Sequence, residues 1–312
     1  MGDLGRALIT GASGFVGGVM GPALAEQGWE VVPTGRATGD VIALDVTDEA
    51  AVRDIMTETT PGVVVHLAGI TYLPAVLEDP KWAFRVNVLG TRNVLDAALR
   101  VAPSAKVLVV SSCTVFGNPT PEDLPLREDA PLRSLHPYGV QKIGSEVIAD
   151  DYRDQGLDVR VVRPFNHVGP GLHPRLSLAF FAGQIVAAER GERDPVLRVG
   201  NLDARRDFTD VRDVVRAYRL VLDLPATPPV LHVATGRSLR IGDVLDMMIA
   251  RARVPLTVET DPGRLRSIDV PDLVGDATRL HELTGWSPRV PFDETLERIL
   301  AHARGEDYGG RW

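Results

Sequence analysis

Gly11-Ala12-Ser13-Gly14-Phe15-Val16-Gly17 is the stretch on which the fold turns. The run before it, Ala7-Leu8-Ile9-Thr10, is short and apolar and reads as a buried first strand. The segment after it, roughly 15–27, reads as a helix. A strand, a glycine turn and a helix N-terminus together make an anion site. The first backbone N–H groups of a helix have no partner inside it, and the macrodipole favours negative charge there. Glycine lets the chain turn tightly and approach a pyrophosphate closely. The spacing is G-x-x-G-x-x-G, one residue away from the commoner G-x-G-x-x-G. A glycine cluster by itself is an ordinary tight turn; placed straight after a first strand, it reads as a dinucleotide site.

Outward from that turn, short β-rich runs alternate with helical patterns. Apolar runs fall at 29–33, 41–44, 62–67, 106–111 and 158–163, with helical stretches near 47–58, 80–101 and 138–154. This alternation predicts an α/β fold, a Rossmann-type doubly wound parallel sheet with helices on both faces. Right-handed crossovers then set the strand C-terminal ends along one edge, where ligands bind. After Arg163-Pro164 the alternation stops and a second, smaller α/β lobe begins. The expected division is 1–164 plus 207–235 for the dinucleotide domain and 165–206 plus 236–312 for a substrate domain. Helices are expected at 176–190, 210–223, 240–252, 276–284 and 292–303, with strands at 196–199 and 230–234.

Candidate site residues sit where strands end. Gly11, Ser13, Gly14, Phe15, Val16 and Gly17 form the phosphate cradle. The second strand ends in Val32-Pro33-Thr34-Gly35-Arg36, with no acid for a ribose 2′-hydroxyl. Arg36 could pair with a 2′-phosphate instead, which favours NADPH over NADH; the bland alternative is a solvated arginine. Asp45-Val46 could frame the adenine, or Asp45 could simply cap the helix starting at Thr47. Leu67-Ala68-Gly69 offers small residues for a flat ring, and His66 beside it reads as a hydrogen-bonded core histidine. Ser111, Ser112 and Thr114 bring hydroxyls to the ligand edge. Prolines 119, 121, 125, 131 and 137 exclude a regular helix or central strand from 118–137, which predicts a structured loop near the site.

Tyr138 and Lys142 stand four residues apart and share a helix face. A lysine ammonium beside a tyrosine is expected to lower the phenol pKa toward working pH. Alone the pair is common by chance; after a glycine turn and a serine-ended strand it is specific. Downstream, Arg205 and Arg206 suit phosphate oxygens, and one of them is expected to pair with Asp203 or Asp207. Arg266 and Asp269 form a second arginine–acid pair that could grip a phosphate and a ribose. His167 and His173 lack further ligands at metal spacing, so no metal is expected.

The net charge of −8 disfavours nucleic acid and anionic membranes as partners. Cys113 is the only cysteine, which excludes an intrachain disulfide and fits a cytoplasmic protein. The opening residues lack a signal-peptide or myristoylation layout, and no apolar run approaches a membrane span. The 80–101 helix carries apolar residues on more than one face, namely Trp82, Phe84, Val86, Leu89, Val94 and Leu95. One face on the sheet and another at a subunit contact would account for this, and a homodimer is expected.

Taken together, Gly11–Gly17, Ser112, Tyr138/Lys142, Asn166 and the Arg206 region resemble the extended short-chain dehydrogenase/reductase superfamily, in its nucleotide-sugar branch. The resemblance covers essentially the whole chain. Asn166-His167-Val168-Gly169-Pro170-Gly171 and Arg205 to Val214 resemble the second-lobe motifs of the GDP-4-dehydro-6-deoxy-D-mannose reductases. Arg266-Ser267-Ile268-Asp269-Val270-Pro271 is similar to their Arg-Pro-Ser-Asp-Val-Pro, with a departure at Ser267. The resemblance implies NAD(P)H-dependent reduction of a 4-keto sugar nucleotide to GDP-D-rhamnose. Tyr138 would be the proton donor, Lys142 its support, and Ser112, with Thr114, a donor to the same oxygen. It also implies a cofactor set extended by Leu67, Ala68, Gly69 and Pro164, and a substrate set of Ser112, Asn166, Arg206, Arg266 and Asp269. Related dehydratases carry a glutamate where this chain has Thr114, and threonine is a poor acid or base at neutral pH. Alternatives are an NAD-dependent 4-epimerase, a ketoreductase giving the 6-deoxytalose epimer or using another nucleotide, and a non-enzymatic dinucleotide sensor.

Overall fold

The computed structural model describes residues 4–36, 40–134, 136–264 and 270–310. Among the described residues thirteen strands run as β1 (Arg6–Thr10), β2 (Glu30–Gly35), β3 (Ile42–Ala43), β4 (Val63–His66), β5 (Lys106–Val110), β6 (Asp158–Pro164), β7 (Asn166–Val168), β8 (Val196–Val199), β9 (Arg205–Asp210), β10 (Val230–Val233), β11 (Ser238–Arg240), β12 (Thr257–Thr260) and β13 (Asp272–Leu273). Seven of them form one parallel sheet in the order β10-β6-β5-β4-β1-β2-β3. The strand order reverses between β1 and β4. That reversal opens a crevice at their C-terminal ends, because the loops leaving the two strands part to opposite faces.

Both faces of the sheet are covered, so its strands are continuously apolar rather than alternating. On one face Val19, Met20, Ala23 and Leu24 of the Gly17–Gln27 helix pack with Val214, Tyr218 and Val221 of the Val211–Asp223 helix. On the other, Val52 and Met56 of the Glu49–Thr59 helix meet Val94, Leu95 and Ala98 of the Gly90–Val101 helix and Ala149 of the Pro137–Asp154 helix.

A second, four-stranded sheet centres on β9, which pairs with β7, β11 and β13. Its core joins Leu178, Phe181 and Ile185 to Val244, Leu245, Leu296 and Ile299. Strands β8 and β12 form a separate parallel pair. The second-lobe strands other than β8 were not foreseen from sequence.

The 80–101 stretch is not one regular helix. It runs as Pro80–Phe84, a π-turn over Arg85–Leu89, and Gly90–Val101. The wide turn contains Asn87, whose side chain binds the loop after β4, and such bulges are frequent at functional sites. Asp48, not Asp45, caps the Glu49–Thr59 helix, accepting from Ala50 N at 3.0 Å and Ala51 N at 3.1 Å. One oxygen of Asp45 instead takes the Thr47 N–H and hydroxyl at 2.9 and 2.8 Å, closing a turn just before the helix.

Candidate active site

The glycine turn lies at the reversal point, and its geometry requires glycine. Gly11 has φ +70°, and a Cβ there would stand 2.7 Å from Ala68 N and 2.8 Å from Ala68 Cα. The turns after β1 and β4 are thus packed backbone to backbone. At Gly17 a Cβ would meet Ala12 Cα and O at 2.6 Å, so the helix starts in contact with the turn. Ala12 N donates to Thr34 O at 2.9 Å, which ties the turn to β2. Val16 ends the turn as the helix N-cap and offers no side-chain cap. The Gly17 N-terminus and a turn of glycines and small side chains fit a dinucleotide pyrophosphate.

Around the turn, Phe15 stacks on His167 at 5.9 Å, joining the turn to β7 of the second sheet. Arg36 lies over the Trp82 ring at 5.8 Å; that ring was read from sequence only as part of an apolar helix face. Val46 is buried, its side chain against Gly90 and its carbonyl accepting from Asn93 Nδ2 at 2.9 Å. His66 is a core histidine, as expected. Its Nδ1 lies 2.8 Å from Thr10 Oγ1 and its Nε2 3.1 Å from Thr91 Oγ1. Burial, with the Lys142 charge behind it, holds its pKa down at about 3.

Ser112, Tyr138 and Lys142 are brought together. Ser112 follows β5 and caps the short turn Cys113–Phe116; its Oγ accepts from Thr114 N at 3.2 Å and from Thr114 Oγ1 at 3.0 Å. The Ser112 hydroxyl lies near enough to the Tyr138 phenol to draw its pKa down. Lys142 is buried, with Nζ 5.8 Å from the Tyr138 ring centroid, and donates to Val110 O at 2.8 Å. Leu67-Ala68-Gly69 leads along this edge, and a Cβ on Gly69 would come within 4.0 Å of Lys142 Nζ. Pro164 closes β6 opposite Val233.

The expected lowering of the tyrosine pKa is overturned. Burial pushes the phenol well above its ordinary value, and Cys113 adds to this; only the Ser112 hydroxyl works the other way. Tyr138 is therefore a firmly protonated phenol, suited to give a proton. Lys142 is instead pushed down to about 8 by burial, against an opposing pull from Glu146.

The second lobe supplies Asn166 at the start of β7 and Arg206 in β9, which lie in neighbouring strands two residues out of step. Asn166 Oδ1 is buried without a partner, as are His167 Nδ1 and Thr209 Oγ1 across the strand pair. Arg206 donates to Arg205 O and Val270 O, both at 2.7 Å. The expected pairing of one of these arginines with Asp203 or Asp207 is not seen among the described residues. Arg205 faces Asp272 at 3.5 Å, Asp203 pairs with Arg240 at 2.7 Å, and Asp207 accepts from Thr235, Gly236 and Gly275. Asp207 is turned inward to join loops, so it is unavailable to an arginine. Arg266 and Asp269 lie outside the described residues.

One residue missed from sequence is Asn87. Its side chain clamps the loop after β4: Oδ1 accepts from Ile70 N at 2.7 Å, while Nδ2 donates to Ile70 O at 3.0 Å and Gln141 Oε1 at 2.8 Å. A polar residue amid the apolar pattern of 80–101 was the only signal. Among the described residues no group of three or more His, Cys, Asp or Glu is placed to hold a metal, and no helix is long and apolar enough to cross a membrane.

An anion cradle at the sheet's switch point, with a buried proton donor and an ammonium at the same edge, is an arrangement for hydride chemistry on a nicotinamide. The class it defines is that of the extended short-chain dehydrogenases/reductases, NAD(P)-dependent oxidoreductases. The chain belongs to the NAD dependent epimerase/dehydratase family, matched over residues 7–234. It is 33% identical to the GDP-6-deoxy-D-mannose reductase of Pseudomonas aeruginosa, over 95% of this chain and 96% of that protein. It is 29% identical to the UDP-glucose 4-epimerase of Mycolicibacterium smegmatis, over 96% of this chain and 99% of the relative. Among solved structures, RMD from Pseudomonas aeruginosa complexed with NADPH superposes with a TM-score of 0.87 at 31% identity, covering 96% of this chain and 99% of the other.

Proposed function

We propose that this protein reduces the C4 ketone of GDP-4-dehydro-6-deoxy-D-mannose to give GDP-D-rhamnose, using NADPH. The carrying observation is a protonated Tyr138 beside Ser112 and backed by Lys142, with Thr114 in place of a carboxylate. Similarity to a GDP-6-deoxy-D-mannose reductase along nearly the whole chain supports the same substrate.

A bound nicotinamide supplies the hydride to C4. Tyr138 gives its proton to the oxygen as negative charge develops there. Ser112, whose own acceptor sites are filled by Thr114, donates its hydroxyl to the same oxygen. Donors fixed in advance at a developing oxyanion provide much of such an acceleration. Lys142 returns positive charge to the tyrosinate as it forms, and its donors suit the ribose hydroxyls. Arg36, beside Trp82, would pair with a cofactor 2′-phosphate, the reading that favours NADPH. Asn166 and Arg206, with Arg266 and Asp269, hold the nucleoside diphosphate; the unpartnered Asn166 Oδ1, an acceptor, supports a contact to one of the substrate's hydroxyl or N–H donors rather than to phosphate oxygen. We assign 1–164 plus 207–235 to the cofactor and the remainder to the sugar nucleotide, with β9 (Arg205–Asp210), the centre of the second sheet, bridging the two.

Phe84, Leu89, Val140 and Val147 leave apolar side chains exposed on helices that pack together, which supports a homodimer through that face. A single cysteine supports a cytoplasmic setting. The test is oxidation of NADPH at 340 nm with the 4-keto substrate, and NMR of the product. No oxidation with NADPH or NADH sinks the proposal. A second reading, a 4-epimerase, is favoured by the similarity to UDP-glucose 4-epimerase. It predicts tightly retained NAD and no net cofactor turnover.

A further inference from the structure

The Pro137–Asp154 helix carries a third residue in line with Tyr138 and Lys142. Glu146 follows Lys142 by four residues, as Lys142 follows Tyr138, so all three share one face. Each meets the end of β5 or its continuation: Tyr138 at Ser112, Lys142 at Val110 O, Glu146 at Ser111. Glu146 is buried, and its Oε1 accepts a hydrogen bond from Ser111 Oγ. From β6, Arg163 grips the same carboxylate with both prongs, Nε to Oε1 at 2.9 Å and Nη2 to Oε2 at 2.7 Å. Arg163 is itself held, donating to Glu128 O at 2.9 Å and lying 5.2 Å from the Phe116 ring centroid.

Resting on the reductase reading, we propose that Glu146 is a positioning residue of the reaction. Clamped by Arg163, it pins Ser111 and with it the Ser112 hydroxyl, and it supplies the negative charge that faces the Lys142 ammonium. The backbone at Ser111 is fixed independently, its N–H donating to Val162 O at 2.8 Å. The carboxylate therefore adds side-chain orientation and charge to a strand end already in register. A buried ion pair adds little stability compared with apolar packing of the same volume, so its use here is better sought in geometry and charge.

The ionisable groups around Lys142 are few. Tyr138 and Glu146 face it from its own helix, His66 from β4, and Arg163 stands behind Glu146 on β6; Cys113 acts electrostatically on Tyr138 and not on Lys142. Of these His66 is held neutral, so the Glu146–Arg163 pair is the charge system that Lys142 senses. Glu146 raises the lysine pKa, and by Coulomb's law the like charge of Arg163 behind it should act the other way.

The lysines of this chain are Lys81, Lys106 and Lys142, so a side-chain NMR titration resolves them readily. In the full-length protein, Glu146→Gln should lower the Lys142 midpoint from about 8 by roughly one unit, a shift typical of losing a nearby charge. Arg163→Met should raise it. The high-pH limb of kcat/KM for keto-sugar reduction should move with each midpoint. Ser111→Ala, which keeps the charges, should leave the midpoint in place and lower kcat more than it raises KM. A purely structural pair would destabilise both charge variants without opposite shifts, and that result overturns the proposal. So does a Glu146→Gln enzyme that titrates and turns over like the parent. If Glu146→Gln does not fold, a Ser111→Ala enzyme with unchanged kcat overturns it. If the parent shows no turnover, the reductase reading has failed, while the NMR titration still judges the Glu146 charge.

Discussion

Replacing Gly11 with alanine should be among the most damaging single-methyl changes in the protein. Two costs meet there. The residue holds φ +70°, and a left-handed conformation costs an L residue about 1–2 kcal/mol. The new Cβ would also lie 2.7 Å from Ala68 N, and backbone cannot swing aside as a flexible side chain can. Overpacking of this kind costs about 1–3 kcal/mol. The sum is about 2–5 kcal/mol, or a fall in melting temperature of roughly 4–10 °C at about 2 °C per kcal/mol for a long chain. Two other glycines separate the terms. Gly156 has φ +98° and nothing within 4 Å of its Cβ position, so Gly156→Ala carries the conformational cost alone. At Gly17 the φ is not positive, yet a Cβ would meet Ala12 at 2.6 Å, so Gly17→Ala carries the contact cost alone. Thermal unfolding of the three variants, with NADPH titration by fluorescence, measures both parts. The loop after β4 lines the cofactor crevice, so Gly11→Ala should also weaken NADPH while Gly156→Ala should not. If Gly11→Ala melts no lower than Gly156→Ala and binds cofactor normally, the backbone contact at the switch point has been misjudged.

Tyr138→Phe should keep NADPH binding and lose about 10²–10⁴-fold in kcat, measured at 340 nm, because a positioned proton donor contributes about that much. His66 and His232 are both held at about 3 by burial, below the ordinary 6.5. The unfolded chain therefore binds more protons, and stability is full above pH 6.5 and falls as pH drops toward 3. Denaturant titrations across that window should show the loss, and His66→Asn should reduce it. Glutamate at Phe84 or Val147 should split the proposed dimer in sedimentation without unfolding the protomer.

The large sheet was legible because its signals are local. Runs such as Val63-Val64-Val65 and Val107-Leu108-Val109 are buried on both faces, and the glycine turn follows its strand directly. The same holds for Tyr138 and Lys142, whose juxtaposition is a helix period. The second sheet was hidden because its strands are short and polar. Strand β9 reads Arg-Arg-Asp-Phe-Thr-Asp, and it is a strand only because β7, β11 and β13 reach it from distant parts of the chain. Asp207 illustrates the limit: beside two arginines in sequence, it bonds instead to residues some thirty and seventy positions away. The tyrosine pKa failed for a related reason. A neighbour's charge can be read from spacing, whereas desolvation depends on everything packed around the phenol.

The joints between the two sheets leave almost no slack. Phe165 alone separates β6 from β7, and it is buried. Nothing separates β9 from the Val211–Asp223 helix, where Asp210 caps the helix and also accepts from Thr295 Oγ1 at 2.7 Å. The return path, Ala234 to Arg237, is held down by Asp207. Mechanically the molecule resembles two plates riveted along one seam rather than a pair of jaws. Access to the crevice is then left to the loops at the strand ends rather than to a swing of the sheets. A residue inserted at the seam should jam the enzyme, while one inserted at the exposed Gly191 turn should pass unnoticed.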